Sequence, residues 1–341
     1  MGLGYSSEFW INGVLLSSVV TMGITGNLSC NLVLLSKKLR LNQTFLSLLR
    51  WLAVIDSIFL GFVFLTFCLP QLSEYYRTWL YPYMMPTLLP LTSIFLNVSI
   101  YCVISLAVER YLSVCRPQHM DKGSFGGYIL PIFAFSVFFN LPKFFELKID
   151  FVKEKNDDSF SIPYVLPTLL RKSPEYSYYT IGAVFIFLGL IPLCSVSVLN
   201  YLVVRRMKKL GGDDSHLATF RDRTSTYLLS GVVIIMIICH LPRNILNVYE
   251  MYLAATSAEL NFPHPWLVDL SHITLALCSS LNIFIFSCQD KIFREILLGK
   301  IFFCQKKGEN WQNTSLDINF NSQGVVTGTA VEANEIVELL A

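Results

Sequence analysis

The sequence predicts an all-α membrane protein: a seven-transmembrane-helix bundle, N-terminus outside, with a short cytoplasmic amphipathic eighth helix. Three observations predict it. Of 341 residues, 53% are hydrophobic and 15% charged, with mean hydropathy +0.53, whereas a soluble domain carries about 25% charged residues. Seven apolar stretches each reach the roughly 20 residues needed to cross a hydrocarbon core. Lysine and arginine collect in alternate connecting loops. This composition excludes a water-soluble enzyme, a disordered chain and a nucleic-acid binder, and a net charge of +2 implies no polyanionic partner. Nine cysteines without a CxxC pair or a His/Cys cluster offer neither a disulfide framework nor a structural metal site.

The spans fall at 11–36, 45–69, 83–114, 125–145, 178–204, 225–253 and 264–288. All read as helices, because lipid leaves backbone amides no other partner and none alternates like a barrel strand. The first lacks a preceding basic segment and exceeds a signal peptide's apolar region, so an uncleaved anchor is expected behind a short outer N-terminus, 1–10. The loops after spans one, three and five hold Lys37, Lys38 and Arg40; Arg116 and Lys122; and Arg205, Arg206, Lys208, Lys209, Arg221 and Arg223. The positive-inside rule makes these loops and the tail cytoplasmic. Loop 146–177 balances its lysines with acids and reads as an outer hairpin, Phe145–Val152 returning along Ser159–Val165. Beyond the seven-span domain, 11–288, residues 289–304 fit an amphipathic interfacial helix through Ile292, Phe293, Ile296, Leu297 and Ile301. The polar tail, 305–341, is expected to be disordered.

Ionisable groups inside a span cost about 2.5–3.5 kcal/mol on insertion scales, so each needs a partner or a task. Asp56 lies in mid-span, and Asn27, Ser99, Ser279 and Asn282 fall at similar depth. Two readings stand. One is hydrogen-bonded glue between helices; the other is a hydrated monovalent-cation pocket on Asp56, Ser99, Ser279 and Asn282, holding an allosteric sodium ion. No other cofactor is expected. Glu109-Arg110-Tyr111 ends the third span, a place where charged side chains commonly snorkel.

These residues, with seven spans, Gly26-Asn27, Leu52-Ala53-x-x-Asp56, Pro192 and Cys239-x-x-Pro242, resemble the rhodopsin-like (class A) G-protein-coupled receptors over about 11–303. Further strings resemble the FMRFamide-type neuropeptide receptors of invertebrates. They are Tyr81-Pro82-Tyr83 with Pro86, Asn140-Leu141-Pro142-Lys143-Phe144-Phe145-Glu146, Thr168-Leu169-Leu170-Arg171 with Tyr176, the run Cys239 to Glu250, and Ser279-Ser280-Leu281-Asn282.

The sequence also departs from the class. Met85 stands where a disulfide cysteine is usual, 25 residues before Arg110, and loop 146–177 has no cysteine, so no disulfide is expected. The loop must then be held by its own hairpin and by aromatic packing. His240 replaces the habitual Trp before Pro242, Ile132 the Trp of the fourth span, Ile283 a proline and Phe286 a tyrosine. Loss of that proline suggests a straighter inner seventh helix.

The resemblance implies a plasma-membrane, multi-pass receptor, not an enzyme. An extracellular, amidated, RFamide-like peptide is the expected ligand and a heterotrimeric G protein the inner partner, with receptor kinases and arrestin acting on the tail. The switch set is Glu109, Arg110, Tyr111, Asp222, Pro242, Asn282 and Phe286. At rest Arg110 is expected to pair with Glu109 and with Asp222, which reads equally as a solvated loop charge, and Pro242 to act as hinge. A ligand guanidinium wants a carboxylate in a bidentate pair, for which Glu250 or Asp269 comes first and Glu146 third. Arg243, His240, Phe95, Tyr101 or Phe185 would meet its Phe and amide, and Gln71 and His272 line the outer ends. The plainer alternative for Arg243 and Glu250 is a role as interfacial or loop-pairing charges. Cys304 is a palmitoylation candidate. Three rivals remain: a receptor for another peptide or a small chemosensory molecule, a transporter or channel, and a light receptor, the last opposed by the lack of lysine in 264–288.

Overall fold

A peptide group in lipid finds partners only in its own chain, and every long apolar stretch runs as a helix in a computed structural model of the protein. The structure describes residues 8–36, 39, 42–116, 125–154, 157–210, 216–255, 265–289 and 291–299. The spans are α1 (Phe9–Leu34), α2 (Gln43–Leu72), α3 (Tyr76–Cys115), α4 (Gly126–Phe145) and α5 (Pro174–Lys209). They continue with α6 (His216–Ala255) and α7, made of Pro265–Ser280 and Asn282–Gln289.

Several helices outrun their apolar stretches. α3 begins at Tyr76 rather than 83: a wide turn, Tyr76–Leu80, precedes the regular α-helical part from Tyr81, in whose first turn Pro82 costs no amide partner. α5 begins where the Ser173 side chain accepts from the Tyr176 amide at 3.3 Å. Wide π-type turns interrupt α1 at Phe9–Leu16, α2 at Phe64–Cys68, α3 at Tyr76–Leu80 and α5 at Phe185–Leu190, the kind of irregularity that re-aims side chains in long helices.

The expected straight seventh helix is corrected. α7 bends by 44° between Ser280 and Asn282, although no proline is present. Side-chain tethers take the proline's place. Ser280 Oγ donates to the Ala276 carbonyl at 2.7 Å and lies 3.3 Å from the Val19 carbonyl of α1. Asn282 is drawn toward α2, as described below. Gly23 and Gly26 let α1 approach the bend closely: a Cβ on Gly26 would lie 3.0 Å from Ile283 Cγ2.

One apolar cluster joins α1, α2 and α7 through Leu16, Val20, Leu60 and Ala276. A second, of Ile55, Ile94, Val98 and Ile132, joins α2, α3 and α4, so Ile132 fills the core in place of the class tryptophan. A third packs Val114 of α3 on Val203 and Met207 of α5.

Between α4 and α5 lies an antiparallel hairpin, β1 (Leu147–Glu154) with β2 (Asp157–Pro167), in register from Leu147↔Pro167 to Lys153↔Ser161. The strands extend beyond the alternating segments the sequence suggests. Pro163, opposite Phe151, is tolerated because in a two-stranded sheet each strand is an edge.

The chain divides after Ile296, and the bundle lies before that point. Residues 291–299 are helical, and Phe293 packs edge-to-face on Phe286 at 5.6 Å. Cys304 and the tail 305–341 lie outside the described residues.

Candidate functional site

Three polar stations occupy the bundle at different depths. The middle one centres on Asp56 of α2, 1% exposed. Ser99 Oγ of α3 donates to its Oδ1 at 2.6 Å, and Asn282 Nδ2 of α7 to its Oδ2 at 2.6 Å. Asn27 Nδ2 of α1 donates to the Ser279 carbonyl at 2.9 Å. Four helices are thus laced by hydrogen bonds between buried polar side chains. Asp56, Ser99, Ser279 and Asn282 also line a cavity of about 20 Å³ with Met236 and Cys278, room for one water-sized occupant.

The donor set around that cavity is one carboxylate, two hydroxyls and an amide. Its oxygens and single negative charge fit a small hard monovalent cation. Divalent or thiophilic metals would need a denser cluster, and no group of three His, Cys, Asp or Glu side chains occurs among the described residues.

The second station lies at the end of α3 opposite the hairpin. Arg110 is 1% exposed, and its guanidinium lies over the Phe45 ring of α2 at 3.8 Å, a cation–π contact. Both Glu109 oxygens accept from neutral donors: Asn42 Nδ2 at 3.0 Å and the Tyr128 hydroxyl of α4 at 3.2 Å. Asn42 also caps α2, accepting from the Thr44 amide at 3.3 Å. Glu109 is therefore anchored toward α2 and α4. Tyr111 packs against the Val114–Val203–Met207 cluster. Pro242 sits inside the continuous α6 and Asp222 in its first turns; the Asp222 side chain lies outside the described residues.

The third station is the hairpin end. Glu146, 7% exposed, accepts from the Tyr176 hydroxyl at 2.9 Å and pairs with Arg171 at 3.2 Å. Thr168 Oγ1 donates to the Phe145 carbonyl at 2.7 Å, and the Thr168 amide to the Glu146 carbonyl at 2.9 Å. This clamp closes the base of the hairpin, so the loop rests on polar bonds as well as on its own strands. On the other side, Asp269 Oδ1 of α7 accepts from Asn12 Nδ2 of α1 at 3.0 Å. The His272 ring lies 4.2 Å from that of Phe67. Gln71 borders Gly13 of α1, where an added Cβ would come 3.3 Å from Gln71 Cβ.

Arg243 of α6 directly follows Pro242 and is half-buried. His240, one turn away, is buried. Glu250 belongs to α6, but its side chain lies outside the described residues. Of the aromatic candidates, Phe95 stacks on Phe62 at 5.3 Å. The Tyr101 hydroxyl donates to the Phe187 carbonyl at 2.8 Å. Phe185 opens the wide turn of α5.

Sequence reasoning missed the roles of Phe45, Asn42, Tyr128, Arg171 and Tyr176. Two signals were usable: the cap residue Asn42, directly before an apolar run, and the string Thr168 to Arg171 with Tyr176, which carried a resemblance but no role.

Comparison with known proteins agrees with this arrangement. The family model of the 7 transmembrane receptor (rhodopsin family) matches residues 26–286. The FMRFamide receptor of Drosophila melanogaster is 27% identical over 87% of this chain and 54% of its own length. A probable G-protein coupled receptor of Caenorhabditis elegans is 25% identical over 67% of this chain and 55% of its own. The neuropeptide Y receptor type 1 of Xenopus laevis is 24% identical over 84% and 79%. The chain thus spans about half the length of the two invertebrate relatives. With the family model covering most of the chain and the helices laced through Asp56, this protein belongs to the rhodopsin family of seven-transmembrane receptors, multi-pass proteins of the plasma membrane that act as receptors rather than enzymes.

Proposed function

We propose that the protein is a receptor for an extracellular, amidated, RFamide-like peptide and that the bound peptide drives nucleotide exchange on a heterotrimeric G protein. The hairpin end faces outward in this reading, and Arg110 marks the cytoplasmic mouth. The observation that carries it is Arg110, a guanidinium sealed at 1% exposure against the Phe45 ring at 3.8 Å. An ionisable group at that depth marks a functional position in a membrane protein, and the Phe45 contact favours the packing in which it is covered. An outer ligand that binds a second packing more tightly shifts the population toward it. Pro242 permits the movement of α6, because proline removes the helical bond to the carbonyl four residues earlier. Arg110 then becomes available to the G protein. Asp56, Ser99, Ser279 and Asn282 would hold a sodium ion in the resting packing, supplying a positive charge beside the Asp56 carboxylate. The peptide class rests on the likeness to the Drosophila FMRFamide receptor across 87% of this chain.

Membranes from cells expressing the receptor, challenged with amidated peptides and their free-acid twins, test this by nucleotide exchange. Amides should be the more potent. Arg110→Ala should abolish exchange while surface staining persists; undiminished exchange would overturn the switch. Higher potency of neuropeptide Y-like peptides would favour another peptide class, in line with the likeness to the Xenopus receptor over 84% of this chain.

A further inference from the structure

The regular part of α5, Ile191–Leu210, has two unlike sides. Val196, Val203 and Met207 are buried, and the last two pack on Val114 of α3. On the opposite side an exposed stripe runs through Cys194, Val198, Tyr201, Arg205 and Lys208, at the spacings of three and four that keep residues on one helix face. Its chemistry changes in a fixed order: apolar first, then aromatic at Tyr201, which is 61% exposed, then cationic. A lipid-facing helix changes in that order where it leaves the hydrocarbon for the headgroups. Arg206 and Lys209, also exposed, widen the cationic end. From Arg205 to Lys209 the rise is about 6 Å at 1.5 Å per residue, which matches one headgroup layer of roughly 5–8 Å.

A fifth cation joins from α3. Cys115 Sγ donates to the Leu202 carbonyl at 3.8 Å, which sets Arg116 beside this end of α5, and Arg116 is exposed. None of the five takes part in an ion pair among the described residues. Glu109, the acid of the neighbouring turns of α3, is held toward α2 and α4 by Asn42 and Tyr128. An anion with several phosphates meets several such cations in one binding event, and a headgroup with one phosphate does not. We propose that Arg205, Lys208 and Lys209, flanked by Arg206 and Arg116, bind a polyphosphorylated inositol phospholipid. The four cations of α5 fan out on the side turned away from Val114 of α3, so the headgroup comes from the surrounding bilayer and not from the crevice between the helices. The Tyr201 ring sets the depth at which the lipid sits. This inference goes beyond the receptor reading and takes from it only that this end of α5 faces the cytoplasm, whose leaflet carries the anionic lipids.

The test titrates full-length receptor, purified in a neutral detergent, into a fluorescent short-chain phosphatidylinositol bisphosphate, read by anisotropy. Wild type should bind saturably and about tenfold more tightly than phosphatidylserine of the same chain length. Removing Arg205, Lys208 and Lys209 together as glutamines should weaken binding about a hundredfold, near fivefold for each cation lost at a membrane surface. Arg205→Lys keeps the charge and should keep the affinity. Three glutamines at Lys291, Arg294 and Lys300 control for net charge and should cost less than about fivefold in all. Equal losses in the two triple variants, or equal affinity for the bisphosphate and serine headgroups, would reveal diffuse attraction and overturn the site. Competition by soluble inositol trisphosphate at the concentrations where the lipid competes would assign the site to a free phosphate and overturn the lipid. Unchanged lipid binding in the first triple variant, with nucleotide exchange lost, would make the run a G-protein contact instead. Should that variant fail to show a wild-type Tm, Arg205→Gln and Lys208→Gln carry the test singly, each expected to cost about fivefold; no loss in either overturns the site.

Discussion

Asn282, the first residue beyond the bend of α7, donates to Asp56 of α2 at 2.6 Å across 226 positions of sequence. The same carboxylate takes Ser99 of α3 at 2.6 Å, so one buried acid fixes the relative height of three helices. The bend and the tether are one device. The 44° break lets Asn282 turn inward, and the bond to Asp56 holds the break open where proline is missing. Movement of the terminal segment of α7 must therefore exchange or abandon a bond to Asp56.

Removing the charge while keeping the shape separates the ion from the tether. Asp56→Asn should leave agonist affinity indifferent to replacement of sodium by a bulky organic cation, whereas wild-type affinity should fall when sodium is present. Asn282→Ala removes one interhelical bond, worth about 0.6–1.7 kcal/mol in membrane proteins, together with one polar group of the pocket, and should lower Tm while weakening sodium sensitivity without abolishing it. Competition binding in the two salts reads the first effect and a thermal melt the second. A sodium response that persists in Asp56→Asn would rule out the pocket.

The Phe45 ring stabilises the packing in which Arg110 is covered. Phe45→Leu keeps the apolar bulk and deletes the cation–π contact, worth about 1 kcal/mol at this degree of burial. The ratio of open to closed receptor should rise about fivefold, since 1.4 kcal/mol corresponds to tenfold. Ligand-free nucleotide exchange measures that rise directly. Unchanged basal exchange, with normal surface expression, would mean that the contact does not favour the closed packing.

The clamp below the hairpin should be visible as local protection. Glu146→Gln weakens a bond to Arg171, whose side chain is 46% exposed, and one to Tyr176. Solvent screening discounts the ion pair, leaving about 1 kcal/mol for the hydrogen bonds to a buried carboxylate. Amides of β1 and β2 should then exchange with deuterium about fivefold faster, while α3 is unaffected. Tyr176→Phe should give a smaller change of the same sign. Equal protection in all three proteins would show that the strands alone hold the loop.

What the sequence revealed and what it hid follow from contrast. Spans were legible because a long, almost uncharged apolar stretch is stable in few surroundings besides lipid. Asp56, Ser99 and Asn282 were legible because a polar residue in such a stretch stands out. Arg171 and Tyr176 stood in a string that carried the resemblance, but only the fold shows that this pair reaches Glu146. Phe45 is one of 26 phenylalanines, and only the fold places it against Arg110. The straight seventh helix was a misreading of a different kind: proline is one cause of bending, and serine and asparagine tethers are another. The early start of α3 escaped because proline and tyrosine lower its apparent hydropathy while still fitting a first turn at the membrane interface.

Two glycines offer an internal control on helix packing. At Gly23 of α1 a Cβ would lie 2.6 Å from Leu60 Cδ1 of α2 and 2.8 Å from Ser280 Cβ of α7. Gly61 of α2 has nothing within 4 Å of an added Cβ. Both sit in helices, where alanine is favoured over glycine by about 0.5–1 kcal/mol. Gly61→Ala should therefore raise Tm slightly or leave it unchanged. Gly23→Val must push α1 away from Ser280 and Leu60, and such overpacking costs about 1–3 kcal/mol. Because Asn27 lies one helical turn beyond Gly23 and donates to the Ser279 carbonyl at 2.9 Å, the displacement also strains the tether to α7. Gly23→Val should lower both Tm and the sodium-dependent shift in agonist affinity, and Gly61→Val should spare the latter. If the two valine variants lost the sodium effect equally, the close approach of α1 to the bend would have no part in holding the Asp56 station together.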